Sequence, residues 1–192
     1  MSLQSGKLPH RLLKKMIAYS GARDKSVILG PRIGEDAAAI DLGEDVLILK
    51  TDPITYALDD IGWYAVNINA NDIATMGARP KWMQTCLLIP PGMPAKSIEG
   101  IFKQVDRACK SLGIAVTGGH TEITPWLDRP IIVGDMHGMA KKKDLILTSG
   151  AKPGNVIILT KGAGIEGTAT LAREKKAHLI RRFSKAFIRR AE

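Results

Sequence analysis

Residues 59–80, DDIGWYAVNINANDIATMGARP, decide the fold of this chain. The stretch has no proline from residue 59 to residue 76, and it then reaches Gly-Ala-Arg-Pro at 77–80. Glycine followed closely by proline is typical of the end of a helix. The stretch therefore predicts a helix over residues 59–76. Its many small residues predict that this helix lies tightly against a sheet.

Apolar runs on both sides of this helix predict the strands of that sheet. Before it, two runs are joined by Leu-Gly-Glu-Asp at 42–45, a pattern typical of a hairpin. After it, one run ends at a Pro-Pro pair, and two further runs carry enough apolar residues to predict buried strands. The five predicted strands are 37–40, 46–51, 82–89, 114–117 and 131–139.

Two further helices are predicted from apolar residues at helical spacing. Residues 8–19 form a short amphipathic pattern that stops at Gly21. Residues 95–112 carry a clear apolar stripe, with Gly113 as the C-cap. The stripe consists of Ile98, Ile101, Phe102, Val105, Ala108 and Leu112. Strands that alternate with single helices, together with a hairpin, predict an α+β (mixed α/β) fold: a mixed sheet with helices on one face.

A domain boundary is predicted near residues 148–154, TSGAKPG. Beyond it we expect one strand over 156–160, a glycine-rich turn and a helix from about Thr168. One strand and one helix cannot bury both of their faces, so this region is predicted to be the opening of a second domain. The expected division is an N-terminal extension over 1–21, a first and complete domain over 22–148, and the start of a truncated C-terminal domain with a basic tail over 149–192.

The composition limits the classes of function. A chain of 192 residues, 45% hydrophobic and 24% charged, can bury one complete core. No apolar run reaches the roughly 18 residues of a membrane helix, so no membrane association is expected. Cys86 and Cys109 have no close cysteine or histidine partner in sequence, and we expect reduced cytosolic core residues. Six of the nine net positive charges fall in residues 173–192, so basicity is a feature of the tail.

Acidic residues lie where predicted elements begin or end. Asp36 precedes one strand, Asp52 ends another, and Asp72 lies near the end of the central helix. Carboxylates that converge from several loops suit Mg²⁺, a hard cation that takes oxygen ligands and keeps substrate phosphates in its shell. The glycines of GGHTE at 118–122 would let backbone N–H groups approach phosphate oxygens closely. One acidic loop alone is usually a solvated turn, but here four such pieces recur.

The order of these pieces carries a family resemblance. GEDAA at 34–38, TD at 51–52, GWYAVNINANDIATMGARP at 62–80 and GGHTE at 118–122 follow one another. This succession resembles the superfamily of aminoimidazole-ribonucleotide synthetase, thiamine-monophosphate kinase, selenophosphate synthetase and HypE. The chain is most similar to the N-terminal ATP-binding domain of the hydrogenase-maturation (HypE-like) branch, over roughly residues 25–170. NDIATMGARP is the most specific element.

The resemblance implies a fold, a location and a chemistry. It implies a PurM-like N-terminal domain whose sheets join into a barrel in a cytoplasmic homodimer. ATP and Mg²⁺ would be held by the acidic loops, with phosphoryl transfer to an oxygen of the substrate. A HypE-like protein also implies a maturation-partner protein.

Site residues follow from the resemblance position by position. It assigns Mg²⁺ to Asp36, Asp52 and Asp72. It assigns ATP to Asn71, Asp72, Gly118, Gly119, Thr121 and Glu122. His120 stands where several family members have Asp or Glu, so Glu122 or Thr121 is preferred as the polar contact there. No residue resembles a dedicated nucleophile or general base, and the catalytic residues stay unassigned.

The sequence KGAGIEG at 161–167 contains a GxGxxG pattern between a predicted strand and a predicted helix. A dinucleotide-binding unit also needs a second parallel strand with an acid near its end, which the basic tail does not offer. A similar TKGxGxEGT segment opens the C-terminal domain of HypE-like proteins. We therefore expect residues 161–167 to be such a HypE-like segment rather than a dinucleotide-binding loop.

The end of the chain departs from the family pattern. HypE ends in a cysteine, whereas this chain ends Arg189-Arg190-Ala191-Glu192. We expect that it contains only the beginning of a C-terminal domain. We expect an ATP-dependent ligase, dehydratase or kinase in the full-length form, and little turnover from this chain alone. Open alternatives are a non-catalytic dimerisation or regulatory module with a vestigial nucleotide site, and a kinase of the thiamine-monophosphate type. Nucleic-acid binding through the tail is the least favoured alternative.

Overall fold

Six strands and two long helices form the body of the protein. The computed structural model describes residues 3–57 and 59–191. In chain order the elements are α1 (His10–Met16), β1 (Val27–Leu29), β2 (Ala38–Leu42), β3 (Asp45–Ile54), α2 (Ile61–Thr75), β4 (Arg79–Ile89), α3 (Ala95–Leu112), β5 (Ala115–Ile123), β6 (Ile131–Lys141), α4 (Ile165–Glu174), α5 (Lys176–Leu179) and α6 (Lys185–Ala191). Two short 3₁₀ turns follow β6, at Lys142–Asp144 and Thr148–Gly150.

The strands form one mixed sheet in the order β1-β2-β3-β6-β4-β5. β4 and β5 run parallel, and α3 makes the crossover between them. The other neighbouring strands are antiparallel, including the β2–β3 hairpin that the sequence predicted. Since α2 contacts β3, β6 and β4 while α3 contacts α2 and β5, both long helices lie on one face. The predicted fold class, a mixed sheet with helices on one face, is confirmed.

Helix α2 lies close to the sheet because β6 has glycines beneath it. A Cβ on Gly134 would stand 2.3 Å from the amide nitrogen of Asn69, and a Cβ on Gly138 would stand 2.3 Å from the Ile73 side chain. Neither contact leaves room for a methyl group. The predicted tight packing of this helix is therefore confirmed, although part of the space comes from glycines in the strand below.

Helix α2 also packs tightly against α3 at its first turn. A Cβ on Gly62 would come within 2.6 Å of the carbonyl oxygen of Ile101. The backbone N–H of Gly62 donates a hydrogen bond of 2.9 Å to the side-chain oxygen of Gln104. The two helices are thus fixed relative to each other as well as to the sheet.

The bounds predicted for α3 are confirmed, as is its C-cap. Gly113 has φ of 69°, a left-handed conformation that glycine adopts without steric cost, and the N–H of Ile114 bonds back to the carbonyl of Cys109. Part of the predicted stripe is not buried, because Phe102 and Leu112 remain about half exposed. Phe102 lines a cleft beside β5.

Strand β5 departs from the expectation that it would be buried. It is longer than predicted, and every one of its residues is exposed. β5 is the last strand of the sheet, so it has one hydrogen-bonded neighbour, and a cleft separates part of its inner side from α3. Apolar content alone cannot distinguish such an edge strand from a central one.

The strand predicted over residues 156–160 does not form. Val156, Ile157, Ile158 and Leu159 are between 68% and 96% exposed and lie in an irregular segment. A strand needs a partner to satisfy its backbone groups, and among the described residues none pairs with this run. The helix that follows begins at Ile165 rather than at Thr168.

The C-terminal segment is tied to the start of α2. Arg173 of α4 lies 2.6 Å from a carboxylate oxygen of Asp60 and stacks over the ring of Tyr64.

At the other end of the chain, α1 is shorter than predicted and buries no residue. None of the helices within residues 3–57 and 59–191 combines the length and the apolar character of a membrane crossing.

Within residues 3–57 and 59–191, no helix covers the second face of the sheet. Its central residues include Leu49 of β3, Val133 of β6, and Cys86 and Leu88 of β4, which are at least partly exposed. Both cysteines are free, and they lie on opposite sides of the sheet. Cys109 of α3 is buried, and burial together with the charge of Asp106 raises its thiol pKa to about 11.

Replacing Gly134 with alanine should lower the free energy of unfolding by about 1–3 kcal/mol, because the new methyl group overlaps the Asn69 amide. Gly100→Ala is the matched control: Gly100 lies inside α3 with nothing within 4 Å of its Cβ position. That control should raise stability by about 0.5–1 kcal/mol through better helix propensity. Urea unfolding measures both, and equal stability of the two variants would contradict the proposed role of Gly134.

Candidate functional site

The most concentrated charge cluster lies on the helix-covered face, around a buried lysine. The Lys50 ammonium nitrogen lies 2.6 Å from Oδ2 of Asp72 and 3.3 Å from Oδ2 of Asp52. The Lys50 side chain is 8% exposed, against 21% for Asp72 and 37% for Asp52. Two of the three predicted magnesium ligands therefore contact one cation.

Strand alternation explains why Lys50 points inward. Side chains along a strand alternate between its two faces, and Val46, Ile48 and Ile54 of β3 are buried beneath the helices. Lys50 and Asp52 fall on the same face in this alternation. Asp72 reaches them from above, because α2 is held close over the glycines of β6.

The cluster changes the protonation behaviour of its members. Burial alone would lower the pKa of Lys50, but its hydrogen bond to Asp72 and the charges of both aspartates outweigh burial, so the pKa is raised. Burial raises the pKa of Asp72, while Lys50 acts in the opposite direction. The charges of Asp36 and Asp52 raise it further. The lysine therefore stays charged, and the carboxylates repel one another.

Asp36 lies in the loop before β2 and is exposed. Its neighbour Glu35 anchors this loop, because the Thr148 hydroxyl donates a short hydrogen bond to one carboxylate oxygen of Glu35. The charge of Asp36 acts on Asp72, so all three predicted metal ligands belong to one electrostatic neighbourhood. In the part of the chain that the structure describes, however, no three Asp, Glu, His or Cys side chains are close enough together to hold a metal ion.

A buried amide adjoins the cluster. Asn69 of α2 is fully buried, and its Nδ2 donates to the carbonyl oxygens of Ala65 at 2.8 Å and of Asp52 at 3.4 Å. Its side-chain oxygen has no hydrogen-bond partner among the described residues. Asn71, the predicted nucleotide-loop residue, lies near the end of the same helix and is exposed.

Three of the predicted ATP-binding residues line a cleft between α3 and strands β4 and β5. Gly118, Gly119 and Thr121 border this cleft of about 720 Å³, and Phe102 covers part of it. A Cβ on Gly119 would stand 2.2 Å from the carbonyl oxygen of Thr85, so glycine is required there by the close approach of the two strands. The cleft floor is mostly apolar, and its rim carries charged residues of α3.

The cluster of Lys50, Asp52 and Asp72 and the cleft bordered by Gly118 and Gly119 lie on different strands. One row of paired residues across the sheet connects them. Asp52 pairs with Gly134, Gly134 with Thr85, and Thr85 with Gly119 across the sheet. Neighbouring strands are about 4.8 Å apart, so about 14 Å separates the two groups.

Glu122 lies apart from both groups. It accepts a hydrogen bond from the Thr124 hydroxyl at 2.9 Å, and one of its carboxylate oxygens lies 3.0 Å from His120 Nε2. These hydrogen bonds, chiefly the one with His120, lower the pKa of Glu122. Because side chains alternate along β5, Glu122 and His120 share a face that Thr121 does not. The structure thus separates two residues that the sequence offered as equivalent contacts.

Lys50 and Asn69 were absent from the sequence-based site, although a signal for Lys50 was present. In the run Val46–Ile54 every second residue is apolar except Lys50 and Asp52, so the strand places a lysine on its buried face. A buried lysine requires acidic partners. Asn69 gave no comparable signal, since Asn67 and Asn71 lie beside it in the same helix and the sequence does not distinguish the three.

Comparison with known protein families gives one match that spans more than half of the chain. The family described as "AIR synthase related protein, N-terminal domain" matches residues 34–140. These bounds include the four motifs of the resemblance, every predicted site residue, and the sheet from β2 to Ala140 of β6.

Curated relatives of the chain have several activities. A hydrogenase expression/formation protein of Methanocaldococcus jannaschii is 30% identical over 142 residues, which is 71% of this chain and 42% of the relative. A selenide, water dikinase of the same organism is 28% identical and covers 84% and 46%. A thiamine-monophosphate kinase of Pyrococcus abyssi is 32% identical and covers 72% and 46%. The chain spans less than half the length of these relatives.

Solved structures share the fold. "AaThiL complexed with AMPPCP and TMP" has a TM-score of 0.69 at 22% identity, covering 91% of this chain and 53% of that one. HypE in complex with ATP has a TM-score of 0.63 at 23% identity, covering 90% and 52%. A HypE-HypF complex has a TM-score of 0.59 at 26% identity, covering 74% and 47%.

The contact between Lys50 and Asp72 should contribute measurably to stability. Lys50→Met leaves the two carboxylates without their cation and should lower the free energy of unfolding by about 1–3 kcal/mol. In the double variant with Asp72→Asn the loss should be smaller than the sum of the single losses, since the variants remove the same pair. The exposed pair Lys141–Asp45, at 2.8 Å, is the control, with an expected coupling of about 0–1 kcal/mol. Chemical denaturation of both sets measures the two couplings, and equal values would show that Lys50 behaves as a surface residue.

Proposed function

This chain belongs to the family of AIR synthase related proteins, through their N-terminal domain, and on this premise we propose that it binds ATP and Mg²⁺. It would do so as part of a HypE-like or aminoimidazole-ribonucleotide-synthetase-related enzyme that uses ATP to phosphorylate or activate an oxygen of its substrate. One observation carries the proposal: Asp52 of β3 and Asp72 of α2, from separate segments, already direct oxygens at one cation.

The donor set fits magnesium. Mg²⁺ takes oxygen ligands in octahedral geometry and usually keeps several water molecules and the phosphates of its substrate. Asp36, Asp52 and Asp72 supply carboxylate oxygens from three segments, and the remaining positions would belong to water and phosphate. When bound, the ion would offset negative charge on the phosphoryl group being transferred.

The residues of this chain would act by binding and positioning. The aspartates would hold the phosphates through the ion, while the cleft bordered by Gly118, Gly119 and Thr121 would take another part of the nucleotide about 14 Å away. Backbone N–H groups at glycines approach anionic or polar ligand atoms without side-chain interference. No dedicated proton-transferring residue is required for chemistry of this kind, in which geometry and electrostatics provide the rate.

The acceptor substrate has two candidates. The hydrogenase expression/formation relative favours a HypE-like maturation reaction, for which a partner protein is suggested by the HypE-HypF structure. The thiamine-monophosphate kinase relative, at 32% identity, favours a small-molecule kinase that shares the same ATP site.

We place the boundary between this nucleotide-binding part and a following domain near residue 148, as the sequence predicts.

A homodimer would cover the free face of the sheet. Leu49, Leu88 and Val133 belong to this face, which no helix covers within the described residues. Antiparallel and mixed sheets of this size normally bury one face and leave the other either polar or covered. We propose that two copies pair through residues 37–51 and 82–89, which is the arrangement that the resemblance implies.

Asp72→Asn should weaken Mg-ATP binding by about tenfold or more while the fold is kept, since an amide cannot replace an anionic ligand of Mg²⁺. Asp45→Asn, in an exposed ion pair at the far end of β3, is the control and should bind as the wild type does. Calorimetric titration with and without Mg²⁺ measures the affinities, and circular dichroism checks the fold. Equal affinity of both variants would contradict a metal role for Asp72.

Turnover is measured on the same preparation. This chain should bind Mg-ATP weakly and hydrolyse it far more slowly than roughly 1 per second. Water exclusion and alignment of the acceptor depend on surfaces beyond residue 148, which are largely open to solvent in this chain, and an open surface there reduces the rate more than the affinity. Hydrolysis at an ordinary enzyme rate would contradict this expectation.

The wild-type chain should sediment as a dimer at micromolar concentration. Val133→Lys places a charge at the centre of the uncovered face and should give a monomer, because a buried unpaired charge opposes association. Leu112→Lys is the matched control, because Leu112 is an exposed apolar residue at the end of α3, on the helix side. Its sedimentation should be unchanged. A wild-type monomer at this concentration would contradict the proposal.

A further inference from the structure

Lys50 lies between the carboxylates of Asp52 and Asp72, and the proposed function gives it no role. Its ammonium is nearly buried and lies within 3.3 Å of Asp52 and 2.6 Å of Asp72. It stands in line with Val46 and Ile48 on the inner face of β3, where an apolar residue would suit the core. A lysine at this position requires a physical reason beyond packing, because burying an ammonium group is costly unless it is paired.

The ammonium has the position and the charge of a bound cation. It is contacted by carboxylates from two segments that come together only in the folded chain, namely β3 and α2. A magnesium ion binds oxygens at about 2.1 Å, closer than either ammonium contact, so the two carboxylates would have to approach further around a metal. This explains why three acidic residues in one neighbourhood do not form a preassembled metal site among the described residues.

We propose that Lys50 is a built-in competitor of the divalent ion: its ammonium neutralises Asp52 and Asp72 in the metal-free chain, and a metal ion binds both carboxylates only by displacing it. The four-carbon stem of lysine has the freedom to move away without disturbing β3. Lys50 is thus a positioning residue that sets the affinity of the site for metal. This inference rests on the proposed function, since it takes Asp52 and Asp72 as the metal ligands.

The competition has a consequence for the order of binding. An ion that arrives alone must displace the ammonium without offering it a new partner, so free divalent ions should bind weakly. An ion that arrives on a triphosphate brings anionic oxygens that the displaced ammonium can contact. The nucleotide should therefore increase metal affinity more in the wild type than in a chain without the lysine charge.

Manganese binding without nucleotide tests the competition directly, with Mn²⁺ as the probe and electron paramagnetic resonance as the measurement. Lys50→Met should bind Mn²⁺ at least about tenfold more tightly than the wild type, which corresponds to about 1.4 kcal/mol. Lys141→Met removes a lysine that also contacts an aspartate, Asp45 at 2.8 Å, and should bind as the wild type does. The double variant of Lys50→Met with Asp72→Asn should lose the gain.

Each outcome of these Mn²⁺ titrations either supports or overturns the competition between Lys50 and the metal ion. Unchanged or weaker Mn²⁺ binding by a folded Lys50→Met variant overturns the inference, as does an equal gain in Lys141→Met. If Lys50→Met is unfolded in metal-free buffer, Mn²⁺ should restore its far-ultraviolet circular dichroism. Lys50→Gln, which removes the same charge, is then titrated in parallel. Failure of Mn²⁺ both to refold the first variant and to bind the second more tightly also overturns the inference.

The nucleotide measurement separates this inference from the function on which it rests. Adding ATP should increase the Mn²⁺ affinity of the wild type by a larger factor than that of Lys50→Met. A wild type that binds no ATP at any Mg²⁺ or Mn²⁺ concentration contradicts the proposed function. The Mn²⁺ titration without nucleotide still decides whether Lys50 competes with a metal ion.

Discussion

The close approach of α2 to β6 is the constraint on which the site depends. Gly134 and Gly138 leave the backbone of β6 without side chains beneath this helix, and Asn69 and Ile73 fill the space. Since Asp72 follows Asn69 by three residues, it lies on nearly the same side of the helix and is carried down to Lys50. A helix standing one methyl group higher would place this carboxylate too far away for a contact of 2.6 Å. The glycines of β6 thus determine which carboxylate lies next to Lys50 on β3.

The two faces of the sheet have different chemical characters because the strands alternate. Inward positions of β3 begin as core residues and end in Lys50 and Asp52, so one strand supplies both packing and charge. Outward positions such as Leu49 and Val133 are apolar but uncovered. The nucleotide proposal therefore concerns the helix-covered face, and the dimer proposal concerns the other.

Local signals in the sequence were sufficient for most of the fold. The bounds of α3 follow from a regular apolar stripe and Gly113, and the β2–β3 hairpin follows from two runs and a short turn. Features that depend on distant partners were not predictable in this way. The run at 156–160 has strand composition but no neighbour, and β5 is exposed because of its place at the sheet edge.

The site residues show the same difference between local signals, which were predictable, and contacts with distant residues, which were not. The motif order identified Asp52 and Asp72, which the structure brings to one ammonium. It could not separate Thr121 from Glu122, because only strand alternation places them on opposite faces. Lys50 was visible as a charged residue on an otherwise apolar face, but its partner on α2 lies 22 positions away. Spacing along a sequence does not report contacts of that range.

The irregular segment after the sheet has a consequence for the colloidal behaviour of this chain. Asn155-Val156-Ile157-Ile158-Leu159-Thr160 is a six-residue run without charge, proline or glycine, rich in residues that favour extended backbone. Such runs stack into cross-β assemblies when their backbone groups are free, and here the four apolar side chains are open to solvent. Lys152 and Lys161 flank the run and oppose stacking through like-charge repulsion. Salt screens that repulsion, so the chain should be least prone to fibril formation in dilute solution at low ionic strength.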